Sequence, residues 1–120
     1  MEAFSHLLGM HLTKQQEGEA VVELDVDQSH LNSQNMCHGG VLMSMADLAM
    51  GAAASSFGGN VVTMDLQYRF FQPARLGEHV KAEGVVIRNG SKVIVTEGRL
   101  TIGDRLIGLT SGQFYHMPEE

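Results

Sequence analysis

The sequence predicts an α+β domain in which an antiparallel sheet curls around one long, buried helix. Two observations predict this fold. Residues 41–57 are the most apolar part of the chain, with hydrophobic or small side chains on nearly every side of a helix, so neighbouring structure must cover that helix all round. Segments with strand character then follow to the end of the chain, and the length of 120 residues fits one domain, residues 1–120.

The first half of the chain contains two helical segments and one strand. Residues 2–8 are suited to a short helix, and residues 20–26 alternate between apolar and acidic side chains, as in a half-buried strand. Residues 30–37 are polar and irregular. The long helix is predicted over residues 41–57, because the Gly58-Gly59 pair is a stop signal.

The second half is predicted to form consecutive antiparallel strands, joined in part by turns such as Asn89-Gly90. In the first of these strands, Val62 and Met64 are expected on the apolar face and Thr63 on the polar face. Such a sheet leaves a strand edge exposed, and pairing with a second copy would cover it, so we expect a homodimer. The four strands are predicted at residues 61–71, 78–88, 93–102 and 106–116.

Composition excludes several classes of function. The net charge of −6 argues against a nucleic-acid partner. Residues 68–118 nevertheless carry seven Lys or Arg against four Asp or Glu, a balance of +3 that suits a small polyanionic ligand; the alternative is that these charges lie on ordinary solvated strand faces. The apolar run is too short to span a membrane. The one cysteine, Cys37, excludes an intrachain disulfide and a multi-cysteine zinc site, and the first residues do not form a secretory signal. We therefore expect a cytoplasmic protein with no membrane partner.

The glycine pair at the start of the long helix is a candidate oxyanion site. Gly39 and Gly40 precede the helix, where backbone N–H groups lack intrahelical partners and the helix dipole is positive. Without a Cβ, they let a substrate carbonyl approach those amides closely, as acyl transfer requires. The alternative is that the glycines only form a tight turn.

Asp47 is the only ionisable residue within the apolar helix, so it must find partners or remain near water. A carboxylate beside a cleft is a candidate general base, and the alternative is a hydrogen-bonded core residue. Its helical neighbours Met43 and Met50 would border an acyl channel or simply fill the core. His38 lies on the opposite side of the helix about 13 Å away along the axis, so His38 and Asp47 can act together only across a dimer interface.

Other chemistries have weaker support. Cys37 beside His38 suggests a thiol nucleophile, but no third residue to orient the pair is evident. The remaining histidines are scattered without metal-ligand spacing, and neither a P-loop nor a dinucleotide-binding GxGxxG motif is present, so we expect no metal and no cofactor. These histidines are His6, His11, His30, His79 and His116.

The combination of Asn32, the His38-Gly39-Gly40 motif, Asp47 and the strand segment VVTMDLQYRFFQPARLGE resembles the hotdog-fold acyl-CoA thioesterases of the phenylacetate-degradation type, over roughly residues 20–115. This resemblance implies a five- or six-stranded antiparallel sheet around the helix, and dimers joined edge to edge and commonly paired into tetramers. It also implies hydrolysis of acyl-CoA, here with aryl or medium-chain acyl groups, to a carboxylic acid and CoA.

The resemblance also implies roles for individual residues. Asp47 is the expected general base or nucleophile, the Gly39 amide polarises the thioester carbonyl, and Thr63 positions the hydrolytic water. Thr63 would need a strand-end twist or bulge to reach the site. Asn32 and His38 are expected to orient the substrate from the subunit opposite Asp47. Further candidates for binding the substrate are Gly40, Met43 and Met50. The local positive charge makes Arg88 and Lys92 candidates for binding the CoA phosphates.

Two other functions are compatible with the same residues. One is an acyl-thioester hydratase or dehydratase, which also uses a histidine and a carboxylate. The other is a catalytically silent acyl-CoA-binding module. A purely structural homodimer is disfavoured, because an acidic residue and a glycine pair at one junction of a core helix both weaken the core.

Overall fold

The computed structural model describes residues 2–118 and contains a six-stranded antiparallel sheet with one long helix against it. This confirms the predicted architecture. The helices are α1 (Ala3–Leu7) and α2 (Gly39–Ser55), with a short 3-10 helix at Gln28–His30. The strands are β1 (His11–Gln16), β2 (Glu19–Asp25), β3 (Val61–Phe70), β4 (His79–Asn89), β5 (Val93–Ile102) and β6 (Arg105–His116).

The strands lie in the order β1-β2-β4-β5-β6-β3, and every neighbouring pair is antiparallel. The prediction of consecutive pairing is right for β4, β5 and β6 and wrong for β3, which pairs with β6 instead of β4. The physical reason is that α2 packs against all six strands and returns the chain at the far edge of the sheet. The two edge strands are therefore β1 and β3.

Strand β1 was not predicted, because its sequence, HLTKQQ, is polar and lacks a two-residue alternation. It is an edge strand with mostly exposed side chains, and only Leu12 packs partly against the core. A short turn with Gly18 at φ +77° joins it to β2. An edge strand buries one side at most, so hydrophobic patterning is a weak signal there.

Helix α2 begins at Gly39 and ends at Ser55, so both ends lie two residues earlier than predicted. The two glycines therefore form its first turn, with His38 as the N-cap. Phe57, predicted to be helical, lies beyond the end and is 46% exposed. Eight residues of the helix are buried: Leu42, Met45, Ala46, Ala49, Met50, Ala52, Ala53 and Ala54. Within residues 2–118, no helix combines the length and hydropathy needed to cross a bilayer.

Glycines on the inner face of the sheet allow α2 to approach the strands closely. A Cβ on Gly84 of β4 would lie only 2.6 Å from the Ala49 carbonyl oxygen in the helix backbone. Gly98 of β5 and Gly112 of β6 both face the Met50 side chain. A side chain at Gly84 would push the helix away, so glycine is required for this contact.

Strand β3 contains a register shift between Thr63 and Asp65, opposite Phe114 and Gln113 of β6. The shift reverses the predicted alternation at the start of the strand. Val62 is 45% exposed and Met64 is 53% exposed, whereas Thr63 reaches the helix. The predicted faces of these residues are therefore wrong, since the extra residue in the bulge reverses the alternation before it relative to the alternation after it.

Candidate active site

Asp47 lies in the middle of α2 and is partly buried, and it has one hydrogen-bond partner. The Thr63 hydroxyl donates to its Oδ1 oxygen at 2.7 Å. The other oxygen, Oδ2, accepts no hydrogen bond from any residue in the range 2–118. The carboxylate is therefore oriented through one oxygen and free to react through the other, beside the exposed edge formed by β3.

The first turn of α2 presents one unused backbone donor. His38 Nδ1 accepts the Gly40 N–H at 2.9 Å, and the His38 carbonyl accepts the N–H groups of Val41 and Leu42. The Gly39 N–H meets no acceptor within the described part of the chain. Because a neutral imidazole that accepts at Nδ1 carries its proton on Nε2, His38 also offers a donor on its exposed side.

Asn32 organises the loop that leads into α2. Its Oδ1 accepts the N–H groups of Gln34 at 2.9 Å and Met36 at 3.1 Å, which leaves its Nδ2 as the available donor. The loop is fixed in turn to its surroundings, because the Cys37 N–H donates to the Ala74 carbonyl at 2.8 Å. The Asn32 side chain therefore stabilises the loop through its oxygen and keeps its Nδ2 group available for a ligand.

A pocket of about 330 Å³ opens beside Gly39. Its walls include Asn32, Cys37 and Leu42 on one side and Phe70 and Pro73 on the other. Asp47 and Thr63 are not part of it. A single chain thus brings the predicted site residues together as two separate groups, one at the start of α2 and one at its middle.

The remaining predicted binding residues are placed as follows. Gly40 is exposed in the first turn of α2, and Met43 is half-buried one turn before Asp47. Met50 is completely buried in the core, which favours the core-filling interpretation over an acyl channel for that residue.

Arg88 and Lys92 lie at the β4–β5 hairpin, where both are exposed and neither forms an ion pair with another residue of the range 2–118. The Lys92 carbonyl accepts the His116 N–H at 2.9 Å, and His116 pairs with Val61. The hairpin is therefore at the same end of the sheet as Thr63.

Comparison with known proteins decides the family. The sequence pattern that defines the thioesterase superfamily matches residues 34–108, which include the diglycine, Asp47 and Thr63. The chain belongs to the thioesterase superfamily. Its relatives include a protein of Archaeoglobus fulgidus, 32% identical over 115 residues that cover 95% of this chain and 75% of that protein.

Two further comparisons concern the phenylacetate-degradation type. Acyl-coenzyme A thioesterase PaaI of Escherichia coli is 33% identical over 91 residues, covering 76% of this thioesterase and 65% of that protein. The solved structure of the E. coli PaaI protein from the phenylacetic acid degradation operon superposes with a TM-score of 0.94 at 28% identity, covering 98% of this chain and 86% of that one. The predicted hotdog fold, PaaI-like resemblance and thioesterase class are confirmed.

The structure disfavours Cys37 as the nucleophile of this thioesterase. The side chain is buried, and burial raises the pKa of its thiol to about 11. The thiol is therefore protonated at neutral pH, whereas the thiolate is the reactive form.

Two of the scattered histidines have structural partners instead of catalytic ones. His30 is buried, with Nδ1 accepting the Asp27 N–H and Nε2 donating to the Leu8 carbonyl at 2.7 Å. His79 lies between the carboxylates of Asp25 and Glu23 in the β2–β4 ladder.

Sequence reasoning missed the residues that form the far wall of the pocket. Phe70 is the most prominent, since its ring packs against Gly39, and Phe71 and Gln72 follow it. The available signal was the apolar Phe70-Phe71 pair just before the proline turn, at the point where an edge strand ends.

Proposed function

We propose that this thioesterase hydrolyses acyl-CoA thioesters with aryl or medium-chain acyl groups, and that Asp47 is the general base or nucleophile. The observation that carries the proposal is the hydrogen bond between Thr63 and Asp47 Oδ1, which orients a carboxylate whose second oxygen is free. The unused Gly39 N–H supplies the matching oxyanion donor. The name of the E. coli relative, an acyl-coenzyme A thioesterase, supports acyl-CoA as the substrate.

A second copy of the chain completes the proposed site. Gly39 packs against Phe70 at the end of β3, while Thr63 lies at the beginning of the same edge strand. Antiparallel pairing of two β3 strands about a twofold axis brings the start of one strand against the end of the other. Gly39 of the partner subunit then faces Asp47, and we expect such dimers to pair into tetramers.

In this arrangement the reaction needs only groups of the protein, water and substrate. A water molecule held by the Thr63 hydroxyl attacks the thioester carbon and transfers a proton to Asp47 Oδ2. The oxyanion of the tetrahedral intermediate accepts the N–H of Gly39 of the partner subunit. The C–S bond then breaks, and the CoA sulfur takes the proton from Asp47. If Asp47 is the nucleophile, Oδ2 attacks the carbon directly, the C–S bond breaks, and CoA leaves as the thiolate from a mixed anhydride. Water then hydrolyses the anhydride to the carboxylic acid and protonated Asp47, which gives its proton to the thiolate.

The hairpin carrying Arg88 and Lys92 is suited to the phosphates of CoA, because it is exposed, cationic and at the Thr63 end of the sheet. Two residues of the other subunit approach the substrate with hydrogen-bond donors. These are the Nδ2 group of Asn32 and the Nε2–H group of His38.

A cytoplasmic location agrees with a single, buried, reduced thiol.

The test is free-thiol release from aryl, short-chain and medium-chain acyl-CoAs by the parent and by Asp47→Asn. We expect the substitution to lower kcat by roughly 10²- to 10⁴-fold, as loss of a general base does. Asp65→Asn is the matched control, because Asp65 lies just after the bulge and is hydrogen-bonded to Gln113 at 2.9 Å. Equal activity in both variants would refute the role of Asp47, and enoyl-CoA loss without thiol release would favour a hydratase.

A further inference from the structure

His30 is a buried, titratable residue that the proposed mechanism does not use. It is 2% exposed, and both of its ring nitrogens have partners. Nδ1 accepts the Asp27 N–H at 2.9 Å, and Nε2 donates to the Leu8 carbonyl at 2.7 Å. A backbone N–H only donates and a carbonyl only accepts, so the ring proton lies on Nε2. Leaving either nitrogen buried and unpaired would be unfavourable, so the two bonds fix the position of the ring.

The main chain of the same residue holds the N-cap of α2. The His30 carbonyl accepts the His38 N–H at 2.7 Å. Between these two residues, Leu31 and Cys37 form an antiparallel bridge, so the histidines pair at the base of a narrow loop. Asn32 lies on this loop, directly after the bridge. The position of His30 therefore sets the positions of Asn32 and His38, which supply the proposed donors to the substrate.

The His30 ring connects this loop to segments that do not line the pocket beside Gly39. Leu8 follows α1 and packs against the core, and Met10, two residues later, is 1% exposed. Asp27 is the N-cap of the 3-10 helix that ends at His30. The ring thus joins the loop to parts of the chain whose positions are fixed by the core.

The start of α2 depends in turn on His38. The Nδ1 atom of this N-cap residue accepts the Gly40 N–H at 2.9 Å. Gly39, whose N–H is the proposed oxyanion donor, lies between these two residues. Oxyanion donors act at about 2.7–3.1 Å, and a displacement of about 1 Å costs up to about 100-fold in rate. A shift of His38 would therefore slow the proposed reaction.

We infer that His30 is a positioning residue, which holds Asn32 and His38 in the geometry that the reaction needs. This inference rests on the proposed function, because it takes the roles of Asn32, His38 and Gly39 from it. His30 itself is buried and does not line the pocket, so it acts through His38 and not on the substrate.

Three variants of His30 separate its two ring bonds. His30→Leu fills the space and makes neither bond. His30→Asn places an acceptor oxygen near the position of Nδ1, and His30→Gln places an amide N–H near the position of Nε2. We expect kcat for thiol release to fall roughly 10- to 100-fold in His30→Leu and by less in both amide variants, with KM changed by less than about threefold. Rescue by the amide variants is not expected if His30 only fills space.

Thr96→Val is the matched control. Thr96 is buried in β5, and its hydroxyl donates to the Gly112 carbonyl of β6 at 2.8 Å. We expect this variant to lower Tm and to keep the kcat of the parent. A folded His30→Leu protein with parental kcat overturns the inference, even if its Tm falls. If His30→Leu does not fold, parental kcat in both amide variants overturns it.

A spectroscopic measurement separates this inference from the proposed function. Hydrogen exchange of the His38 amide reports its bond to the His30 carbonyl, and the ring nitrogen shifts of His38 report its bond from the Gly40 N–H. We expect the His38 amide to exchange roughly tenfold faster in His30→Leu, relative to the amides of β5, and the ring shifts to move. If the parent releases no thiol, the proposed function fails, and exchange at His38 still tests His30. Exchange and shifts equal to those of the parent overturn the inference, because a loss of kcat would then not pass through His38.

Discussion

Thr63 and Asp47 are joined by a 2.7 Å hydrogen bond across sixteen positions of sequence, from the bulge in β3 to the middle of α2. The bond exists because the register shift after Thr63 turns that residue towards the helix. A regular strand would direct the hydroxyl to the other face of the sheet, away from the carboxylate. The bulge is therefore the structural feature that connects the strand edge to the proposed catalytic carboxylate.

Replacing Thr63 tests whether this orientation matters for catalysis. We expect Thr63→Val to lower kcat by about 10- to 100-fold with a smaller change in KM, because Asp47 and its water lose their fixed geometry. Thr63→Ser keeps the donor and should retain most of the activity. Steady-state thiol release measures both variants, and a Thr63→Val enzyme with the kcat of the parent would remove Thr63 from the mechanism.

The sequence was sufficient to predict the long helix, five of the six strands, and the segment that contains the candidate site. The sequence did not predict the two edge strands correctly, since β1 was missed and β3 was given the wrong neighbour. The polar strand β1 has no periodic signal, and the place of β3 beside β6 depends on where α2 crosses the sheet. The role expected of Thr63 conflicts with its place on the polar face of the strand, and this conflict predicts a bulge. The position of the bulge is set by the pairing of β3 with β6.

Mixing two inactive variants tests whether the site is shared between subunits. Asp47→Asn and His38→Ala remove groups that we place on opposite sides of one site. Chains mixed in equal amounts and allowed to exchange should form about half heterodimers with one intact site each, which restores about a quarter of parental activity. If both groups act within one chain, the heterodimers contain no intact site and the mixture stays inactive.

The hairpin residues Arg88 and Lys92 should affect binding of CoA more than the chemical step. We expect the double variant Arg88→Ala, Lys92→Ala to raise KM for acyl-CoA roughly three- to tenfold, with a weaker dependence of KM on salt. The control substrate is the corresponding acyl-pantetheine, which lacks the phosphates of the nucleotide and should show no change. An unchanged KM with acyl-CoA would show that the phosphates bind elsewhere.

His79 connects β2 and β4 through two carboxylates, and this arrangement makes stability depend on pH. Its Nδ1 is 2.7 Å from Asp25 Oδ1 and its Nε2 is 2.8 Å from Glu23 Oε1. The hydrogen bonds to Asp25 and then Glu23 raise the pKa of His79 above its ordinary value of 6.5. The hydrogen bond from Thr13 and then that from His79 lower the pKa of Glu23, so this carboxylate stays ionised in mildly acidic solution.

The protonated form of His79 is therefore the one that stabilises the fold. A raised pKa contributes stability that is complete below pH 6.5 and is lost as the pH rises through the raised value. We expect His79→Gln to lower the free energy of unfolding by about 1 kcal/mol near pH 6, because exposed ion pairs contribute about 0.2–1 kcal/mol each. The difference from the parent should shrink as the pH rises towards 9. Thermal melts from pH 5.5 to 9 measure it, with His6→Gln on α1 as the control, and a difference that does not change with pH would show that His79 stabilises the sheet only as a neutral side chain.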